Sequence, residues 1–402
     1  MIDLGAHIRR GDTVVWGQAC AEPLTLTEAL MAQRETIGGI TAFLGIQFAG
    51  TAKPEHADHI RFVSYCGTGA NRALVQAGVL DIYPGHYSTL PWLVSHGPLR
   101  ADVVLVQVSP PDVDGNYSLG LAHDYLSAAI DVARVVIAEV NDQIPFVAGS
   151  RYLSADDIDV LIESSRPPAE APAGRVDANT TRIAELAAGL IPDGATLQLG
   201  IGAVPELLLG ELKDRRGLRF HSGQLSDGAA GLIEVGAASG GVAAFLIGTR
   251  RLFDFAHCNP AIALRPASYT HDADVLAAQE KFVAVNSAVE VDVTGQVNAE
   301  VAAGTYVGAV GGVGDFLRAA QASAGGVPIV ALPSTAGKHS RIVARVSGPV
   351  TVPRSDACVI VTEYGAADLR GLSLAQRVSR MIAIAHPDHR EQLERDARTC
   401  LM

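Results

Sequence analysis

The chain has 402 residues, of which 48% are hydrophobic and 18% are charged. This length and composition supply a buried core and exclude a disordered or fibrous chain. The 31 basic and 43 acidic residues give a net charge of −12, and no long run of Lys or Arg is present. We therefore expect no nucleic-acid partner.

The cysteines and the first residues predict the compartment. Cys20, Cys66, Cys258, Cys358 and Cys400 are an odd, scattered set without a C-x-x-C pair, which predicts reduced thiols rather than disulfides or a zinc knuckle. The first residues show no basic segment followed by an apolar run, and no uncharged apolar run reaches about 18 residues. We expect a cytoplasmic protein without a membrane contact.

In chain order, a turn and a strand near Thr13 lead into an apolar helix that reaches Leu30. Residues 164–176 contain three prolines among small and charged residues, and this composition predicts an interdomain linker. Apolar runs predict strands at 103–108, 135–140, 282–285, 328–332 and 358–362, and periodic segments predict helices at 71–79, 127–133, 178–190 and 376–385.

Two patterns recur at nearly equal offsets along the chain. Gly11, Thr13 and Gly17 correspond to Gly194, Thr196 and Gly200, at an offset of 183 residues. The pentapeptide DVDGN at 112–116 corresponds to DVTGQ at 292–296, at an offset of 180. We infer an α/β fold of two tandem, open, mostly parallel-sheet domains, residues 1–163 and 177–402, related by internal duplication. Ligands are expected beyond the carboxyl ends of the strands.

Two glycine-rich segments precede predicted helices. In the first, Gly200, Ile201, Gly202 and Ala203 precede Pro205, which occupies the third position of a dinucleotide fingerprint and makes that interpretation weak. The second contains Gly311 and Gly312 and lacks the Lys-Ser/Thr of a P-loop. Each segment either receives an oxyanion at a helix start or only forms a tight turn.

Histidines and hydroxyls are the candidate residues for other chemistries. His56 with His59 and His386 with His389 have metal-compatible spacing but no third ligand, so we expect no metal site. The Gly-x-Ser-x-Gly elbow of serine hydrolases is absent. Residues 334–341 place hydroxyls and two cations after a strand, either to bind a phosphate or pantetheine amide or as an ordinary polar loop.

Together these segments resemble the acetyl-CoA hydrolase/transferase family, especially its 4-hydroxybutyrate and acetate CoA-transferase branch. The likeness covers nearly the whole chain. It is carried by residues 109–112 with Gly115, 138–143 with Pro145, 197–203 with Pro205, 286–288, 290–292, 294–298, Gly311 and Gly312 with Asp315 and Phe316, 332–336, 362–365 and 369–371.

The resemblance implies two CoA-transferase domains, an active site between them, a homodimer, and acyl-CoA with a small carboxylate as substrates. It implies coenzyme A as a substrate, without a tightly bound cofactor. In the family, a glutamate carboxylate attacks an acyl-CoA, and a mixed anhydride and an enzyme–CoA thioester follow. By the same likeness, residues 200–203, Asn286, Gly311 and Gly312 stabilise oxyanions and the acyl group. Ser334, Lys338, Ser340 and Arg341 are the implied CoA contacts.

One position departs from the family pattern. The family glutamate lies in a segment of the form His-Ser-Glu or Tyr-Thr-Glu, a few residues before Asp-Gly, and here that segment reads His221-Ser222-Gly223 before Asp227-Gly228. Glycine cannot form an anhydride, so the usual ping-pong transfer cannot proceed through Gly223. The implied site therefore includes Gly223 as a binding position rather than a nucleophile.

The sequence leaves the replacement nucleophile and the reaction open. Glu290 and Asp227 are candidates for a nucleophile or a base, with structural roles as their alternatives, and Glu363 is expected to be structural. The first hypothesis is an acyl-CoA enzyme that catalyses CoA transfer or thioester hydrolysis. The alternatives are a non-catalytic acyl-CoA-binding protein and a hydrolase of a carbon–carbon bond in a CoA ester.

Overall fold

The computed structural model describes residues 2–400, with side chains to residue 398, and these form two compact units. Within the described residues, the first unit comprises residues 2–172, 224–227 and 241–270, and the second comprises 173–223, 228–240 and 271–400. One division falls inside the expected linker, where residues 165–177 form neither helix nor strand. The domain bounds proposed from the sequence stay predictions.

The strands and helices follow one another along the whole chain. The strands are β1 (Thr13–Trp16), β2 (Ile40–Leu44), β3 (Ile60–Ser64), β4 (Leu80–Ile82), β5 (Val103–Val108), β6 (Tyr117–Ser118), β7 (Val135–Asn141), β8 (Ala148–Gly149), β9 (Tyr152–Leu153), β10 (Val160–Ser164), β11 (Thr196–Leu199), β12 (Leu218–Leu225), β13 (Ala238–Leu246), β14 (Ile262–Leu264), β15 (Phe282–Ser287), β16 (Glu290–Asp292), β17 (Val297–Asn298), β18 (Val301–Ala302), β19 (Thr305–Tyr306), β20 (Val327–Ala331), β21 (Thr335–Ala336), β22 (His339–Ser340), β23 (Ile342–Val343), β24 (Val359–Thr362) and β25 (Gly365–Asp368). The α-helices are α1 (Leu24–Ile37), α2 (Asn71–Gln76), α3 (Leu90–His96), α4 (Leu126–Val132), α5 (Ala178–Ala188), α6 (Ala203–Gly210), α7 (Asp227–Glu234), α8 (Arg250–Ala256), α9 (Ala267–Thr270), α10 (Ala273–Ala277), α11 (Val313–Ala322), α12 (Leu374–Ile384) and α13 (Pro387–Cys400).

The first unit contains a seven-stranded sheet in the order β10-β7-β5-β1-β2-β3-β4, and all six strand pairings in it are parallel. All six residues of β5 are buried, as expected for a strand covered on both faces. Its core includes Trp16, Phe62 and Ile137. In the same unit, residues 241–243 pair with β14, and β14 pairs with β8.

In the second unit, strands lie in the order β25-β24-β20-β15-β11-β12. The pairings from β24 to β12 are parallel, and β25 is antiparallel. Phe282, Phe316 and Met381 lie in the apolar cluster of this unit. Because parallel strands share one direction, their carboxyl ends meet at a single sheet edge.

The repeated pentapeptides form the same turn. Asp112 Oδ1 accepts from the N–H groups of Asp114 and Asn116, at 2.9 and 2.8 Å. Asp292 Oδ1 accepts from Thr294 and Gln296 in the same pattern, at 2.9 and 3.0 Å. Equivalent turns after a strand in each unit support the inferred internal duplication.

The predicted α/β class with mostly parallel sheets is confirmed, and the strand predicted at 103–108 has the bounds of β5. Among the described residues, no helix is both long and apolar enough to cross a membrane.

Candidate functional site

Three neighbouring strands of the second unit bring sequence-predicted residues together. Gly200 follows β11, Gly223 lies near the end of β12, and Asn286 lies near the end of β15. Since β15, β11 and β12 are adjacent and parallel, the three residues lie toward one sheet edge. We define the edge site by these residues together with the groups that contact them.

Gly200 lies directly beside Asn286. The Gly200 N–H donates to Val285 O at 2.8 Å, and a Cβ added to Gly200 would lie 3.2 Å from Asn286 Oδ1. Asn286 Nδ2 donates to Gln198 Oε1 at 2.9 Å, and Gln198 Nε2 donates to Asn286 Oδ1 at 3.3 Å. This reciprocal amide pair fixes the orientation of Asn286 and leaves its second Nδ2 proton for another acceptor.

The turn after Gly200 opens a helix. Gly202 has φ +140°, which side chains rarely adopt, and α6 begins at the next residue, Ala203. Ile201 is 48% exposed, so the turn faces open space. The first N–H groups of a helix lack intrahelical partners and can donate to an oxyanion.

Gly223 and Gly312 face the same imidazole. A Cβ added to Gly223 would lie 3.5 Å from both Cε1 and Nε2 of His271, which is ordinary contact. A Cβ added to Gly312 would lie 2.7 Å from His271 Nε2, which is too close. Gly311 and Gly312 immediately precede α11, and Gly311 has φ +52°. Thus Gly312 is needed for the approach of His271, whereas Gly223 leaves space beside it.

Burial sets the charge of His271. The side chain is 4% exposed, and its ring centroid lies 4.5 Å from that of Phe316. Desolvation, with a smaller contribution from His221, lowers the pKa of His271 from 6.5 to about 3. The imidazole is therefore neutral at physiological pH.

The segment at 334–341 divides into a buried anchor and an exposed hairpin. The Ser334 Oγ and N–H donate to the two carboxylate oxygens of Glu363, at 2.6 and 2.8 Å. Lys338 is exposed in the two-residue turn between β21 and β22, and Ser340 Oγ donates to Ile342 O at 2.6 Å. The contacts of Ser334 and Ser340 are thus largely structural, and the expected structural role of Glu363 is supported.

Arg341 follows the hairpin and is partly buried. Its backbone N–H donates to Ser334 O, and its backbone O accepts from Val291 N–H. Burial lowers the pKa of its guanidinium, and no charged side chain among the described residues contributes to this shift. A partly buried guanidinium of this kind is suited to an anionic ligand.

The two candidate carboxylates are anchored. Glu290 Oε1 accepts from Asn298 Nδ2 at 3.1 Å, from Ser347 N and Oγ at 2.6 and 2.9 Å, and from Gly348 N at 3.3 Å. In the first unit, Asp227 accepts from Thr249 N and Oγ1, both at 2.9 Å. These contacts favour the structural alternatives, and the catalytic assignments stay predictions.

The histidine pairs with metal-compatible spacing make ordinary polar and ring contacts. Among the described residues, no cluster of three His, Cys, Asp or Glu side chains could hold a metal ion. His56 Nδ1 accepts from Lys53 N–H at 3.2 Å, and the rings of His386 and His389 lie 5.8 Å apart.

The comparisons with known proteins decide the family. The sequence profile of the acetyl-CoA hydrolase/transferase N-terminal domain matches residues 3–169, and that of the C-terminal domain matches residues 248–397. The chain belongs to the acetyl-CoA hydrolase/transferase family. Members of this family are enzymes of CoA transfer or thioester hydrolysis, which confirms the predicted class of reaction.

Relatives of this family match nearly the whole chain. The 4-hydroxybutyrate coenzyme A transferase of Clostridium kluyveri is 36% identical over 96% of this chain and 94% of that protein. RipA from Yersinia pestis has a TM-score of 0.94 at 34% identity, covering 99% of this chain and 96% of RipA. The 4-hydroxybutyrate CoA-transferase from Porphyromonas gingivalis has a TM-score of 0.83 at 34% identity, covering 98% and 95%.

Two residues of the edge site, His271 and Gln198, were not predicted from the sequence. His271 lies in a polar segment between two short helices, and nothing in its local sequence connects it with Gly223. Gln198 is inside the quoted motif at 197–203, but only the pairing of β11 with β15 shows that it holds Asn286. Both contacts depend on strand order, which the motifs do not specify.

Proposed function

We propose that this member of the family hydrolyses acyl-CoA thioesters at the edge site, without a covalent enzyme intermediate. The observation that carries the proposal is Gly223, which faces His271 where the family pattern expects the nucleophilic glutamate. With no carboxylate there, the first attack on the thioester falls to water. The match of Gly223 to the glutamate position is itself part of the proposal.

The polar groups of the edge site suit such a reaction. Attack on a thioester carbonyl places negative charge on its oxygen, and preorganised N–H donors stabilise that charge. Asn286, held by Gln198, and the N–H groups where α6 begins are the donors we assign to this oxygen. Gly311 and Gly312 contribute backbone that a ligand can approach closely.

Arg341 and the hairpin beside it are the groups we assign to coenzyme A. A CoA ester carries phosphates, and a guanidinium binds phosphate oxygens through paired N–H donors. Lys338, exposed in the neighbouring turn, adds positive charge against a net charge of −12. Coenzyme A is substrate in this proposal, and no resident cofactor is required. The expected homodimer and cytoplasmic location stay predictions.

The test is incubation with a panel of short acyl-CoAs, with and without acetate, succinate or 4-hydroxybutyrate. Release of free CoA at the same rate in the absence of an acceptor is expected. Release that requires an acceptor would instead establish transfer, and binding without turnover would establish a non-catalytic protein. Mass analysis of the products separates thioester cleavage from cleavage of a carbon–carbon bond.

A further inference from the structure

His271 lies where a side chain at position 223 would act. Its Nε2 and Cε1 atoms are each 3.5 Å from the place of a Cβ on Gly223. A glutamate extends two further carbons beyond Cβ to its carboxylate oxygens, so those oxygens can reach the imidazole edge. The ring thus borders the space that a nucleophilic carboxylate would occupy.

The surroundings hold the ring in this position. Phe316 of α11 packs against one side, and the absence of a Cβ at Gly312 allows Nε2 to approach the glycine turn. Asp272, the next residue, accepts from the N–H groups of Asp274 and Val275 at 2.9 and 3.0 Å, and so caps α10. The capped helix start and the contacts with Phe316 and Gly312 restrict the imidazole more than the surroundings of an exposed histidine would.

We infer that His271 is the general base of the hydrolysis, accepting a proton at Nε2 from a water molecule beside Gly223. This inference rests on the proposed function. The water oxygen forms a bond to the thioester carbon, its proton passes to the imidazole, and the carbon–sulfur bond breaks. The CoA thiolate then takes the proton from the imidazolium, so the products are a carboxylic acid and free CoA.

The charge state of the ring is compatible with this role. A neutral imidazole has a lone pair on one nitrogen, and the base form requires that nitrogen to be Nε2, with the proton on Nδ1. The titratable group that acts on it is His221 from β12, while Phe316 and Gly312 bring no charge. The imidazolium forms only while negative charge develops on the thioester oxygen and sulfur, which stabilises it.

The experiment compares the full-length unaltered chain with His271→Asn and His271→Gln, using acetyl-CoA and butyryl-CoA without an acceptor. Either amide keeps a polar side chain but cannot take a proton, so we expect CoA release to fall roughly 10²- to 10⁴-fold. Binding of a non-hydrolysable thioether analogue of acyl-CoA, measured by calorimetry, should change less than about threefold. Exposed His96 of α3, changed to Asn, is the matched control and should keep full activity.

A further variant addresses folding and role together. In His271→Ala, added imidazole should restore part of the CoA release, which a purely structural side chain would not show. Absence of CoA release from the unaltered protein would refute the proposed hydrolysis itself. Release from the unaltered protein that persists in His271→Asn and His271→Gln would refute the role of His271 alone.

Discussion

Restoring a carboxylate at position 223 should convert the protein into a CoA-transferase. In Gly223→Glu, the carboxylate attacks the acyl-CoA carbonyl and displaces CoA thiolate, and the resulting anhydride is attacked by that thiolate. The acyl group leaves as its carboxylate and an enzyme–CoA thioester remains, from which an acceptor carboxylate can take the CoA. We expect transfer to acetate that the unaltered protein lacks.

The structure predicts that this change is tolerated. A Cβ at position 223 makes its nearest contacts at 3.5 Å with His271 and 3.7 Å with Phe316, and no left-handed φ is recorded there. A glycine inside a strand is about 0.5–1 kcal/mol less stable than alanine, so Gly223→Ala should raise the unfolding free energy by that order. Gly312→Ala is the contrasting control. Its Cβ would lie 2.7 Å from Nε2, and such overpacking costs about 1–3 kcal/mol.

The assay is the intact mass of Gly223→Glu after incubation with acetyl-CoA, followed by CoA transfer from butyryl-CoA to acetate. A mass increase corresponding to bound CoA, which disappears on addition of acetate, is expected only in the glutamate variant. Gly223→Gln is the control for size. If Gly223→Glu folds and binds the thioether analogue but forms no covalent species, position 223 is not the place of the family nucleophile.

Three further predictions concern side chains of the second unit. In the unfolded chain His271 gains a proton near pH 6.5, whereas in the folded protein its pKa is about 3. The folded protein therefore loses stability relative to the unfolded chain as the pH falls from 6.5 toward 3. The difference in unfolding free energy between His271→Asn and the unaltered chain, measured by urea titration, should therefore change by about 1.4 kcal/mol per pH unit between pH 6 and pH 4. If the unfolding free energies of the two proteins follow parallel curves against pH, the imidazole is not buried in its neutral form. Arg341→Gln removes a charge-assisted contact of about 1.5–3 kcal/mol, so KM for acyl-CoA should rise roughly 10- to 100-fold, and an unchanged KM would remove Arg341 from the CoA site. Glu290→Ala leaves the donors of Asn298 and Ser347 without their acceptor and should lower the unfolding free energy by about 1–3 kcal/mol. Glu290→Gln should keep CoA release. Loss of turnover in Glu290→Gln without loss of stability would make Glu290 catalytic.

Much of the scaffold follows from local sequence. The apolar run at 103–108 specifies β5 without error, because a strand buried on both faces needs a continuous apolar segment. The helix predicted at 178–190 is α5, whose start is set by Asp177 accepting from Thr180 N–H at 2.9 Å. The repeated Asp turn also follows from sequence, since an aspartate side chain binds its own following backbone.

The edge site could be predicted from the sequence only in part. Gly200 and Asn286 could be assigned from their motifs. Gln198 and Asn286 are 88 positions apart in the sequence, so the motifs do not reveal the amide pair that orients Asn286. His271 meets Gly223 and Gly312 through three separate segments, and no periodicity within a segment encodes that meeting. For Glu290 the difficulty is different, because the sequence does not show whether the carboxylate oxygens of an acidic residue accept hydrogen bonds within the protein.

The glycine after the first strand has a different role in each of the two units. At Gly17, an added Cβ would lie 2.4 Å from Ala21 O, so this glycine closes a tight turn against its own loop. At Gly200, the equivalent Cβ would meet the Asn286 amide at 3.2 Å, and the next residue is exposed. A glycine after the first strand therefore allows tight packing of a loop at Gly17 in the first unit, and at Gly200 in the second unit it allows a polar amide to approach the strand end. Because the turn, the amide pair and His271 do not depend on packing by Gly223, we expect a carboxylate placed at position 223 to leave them in place.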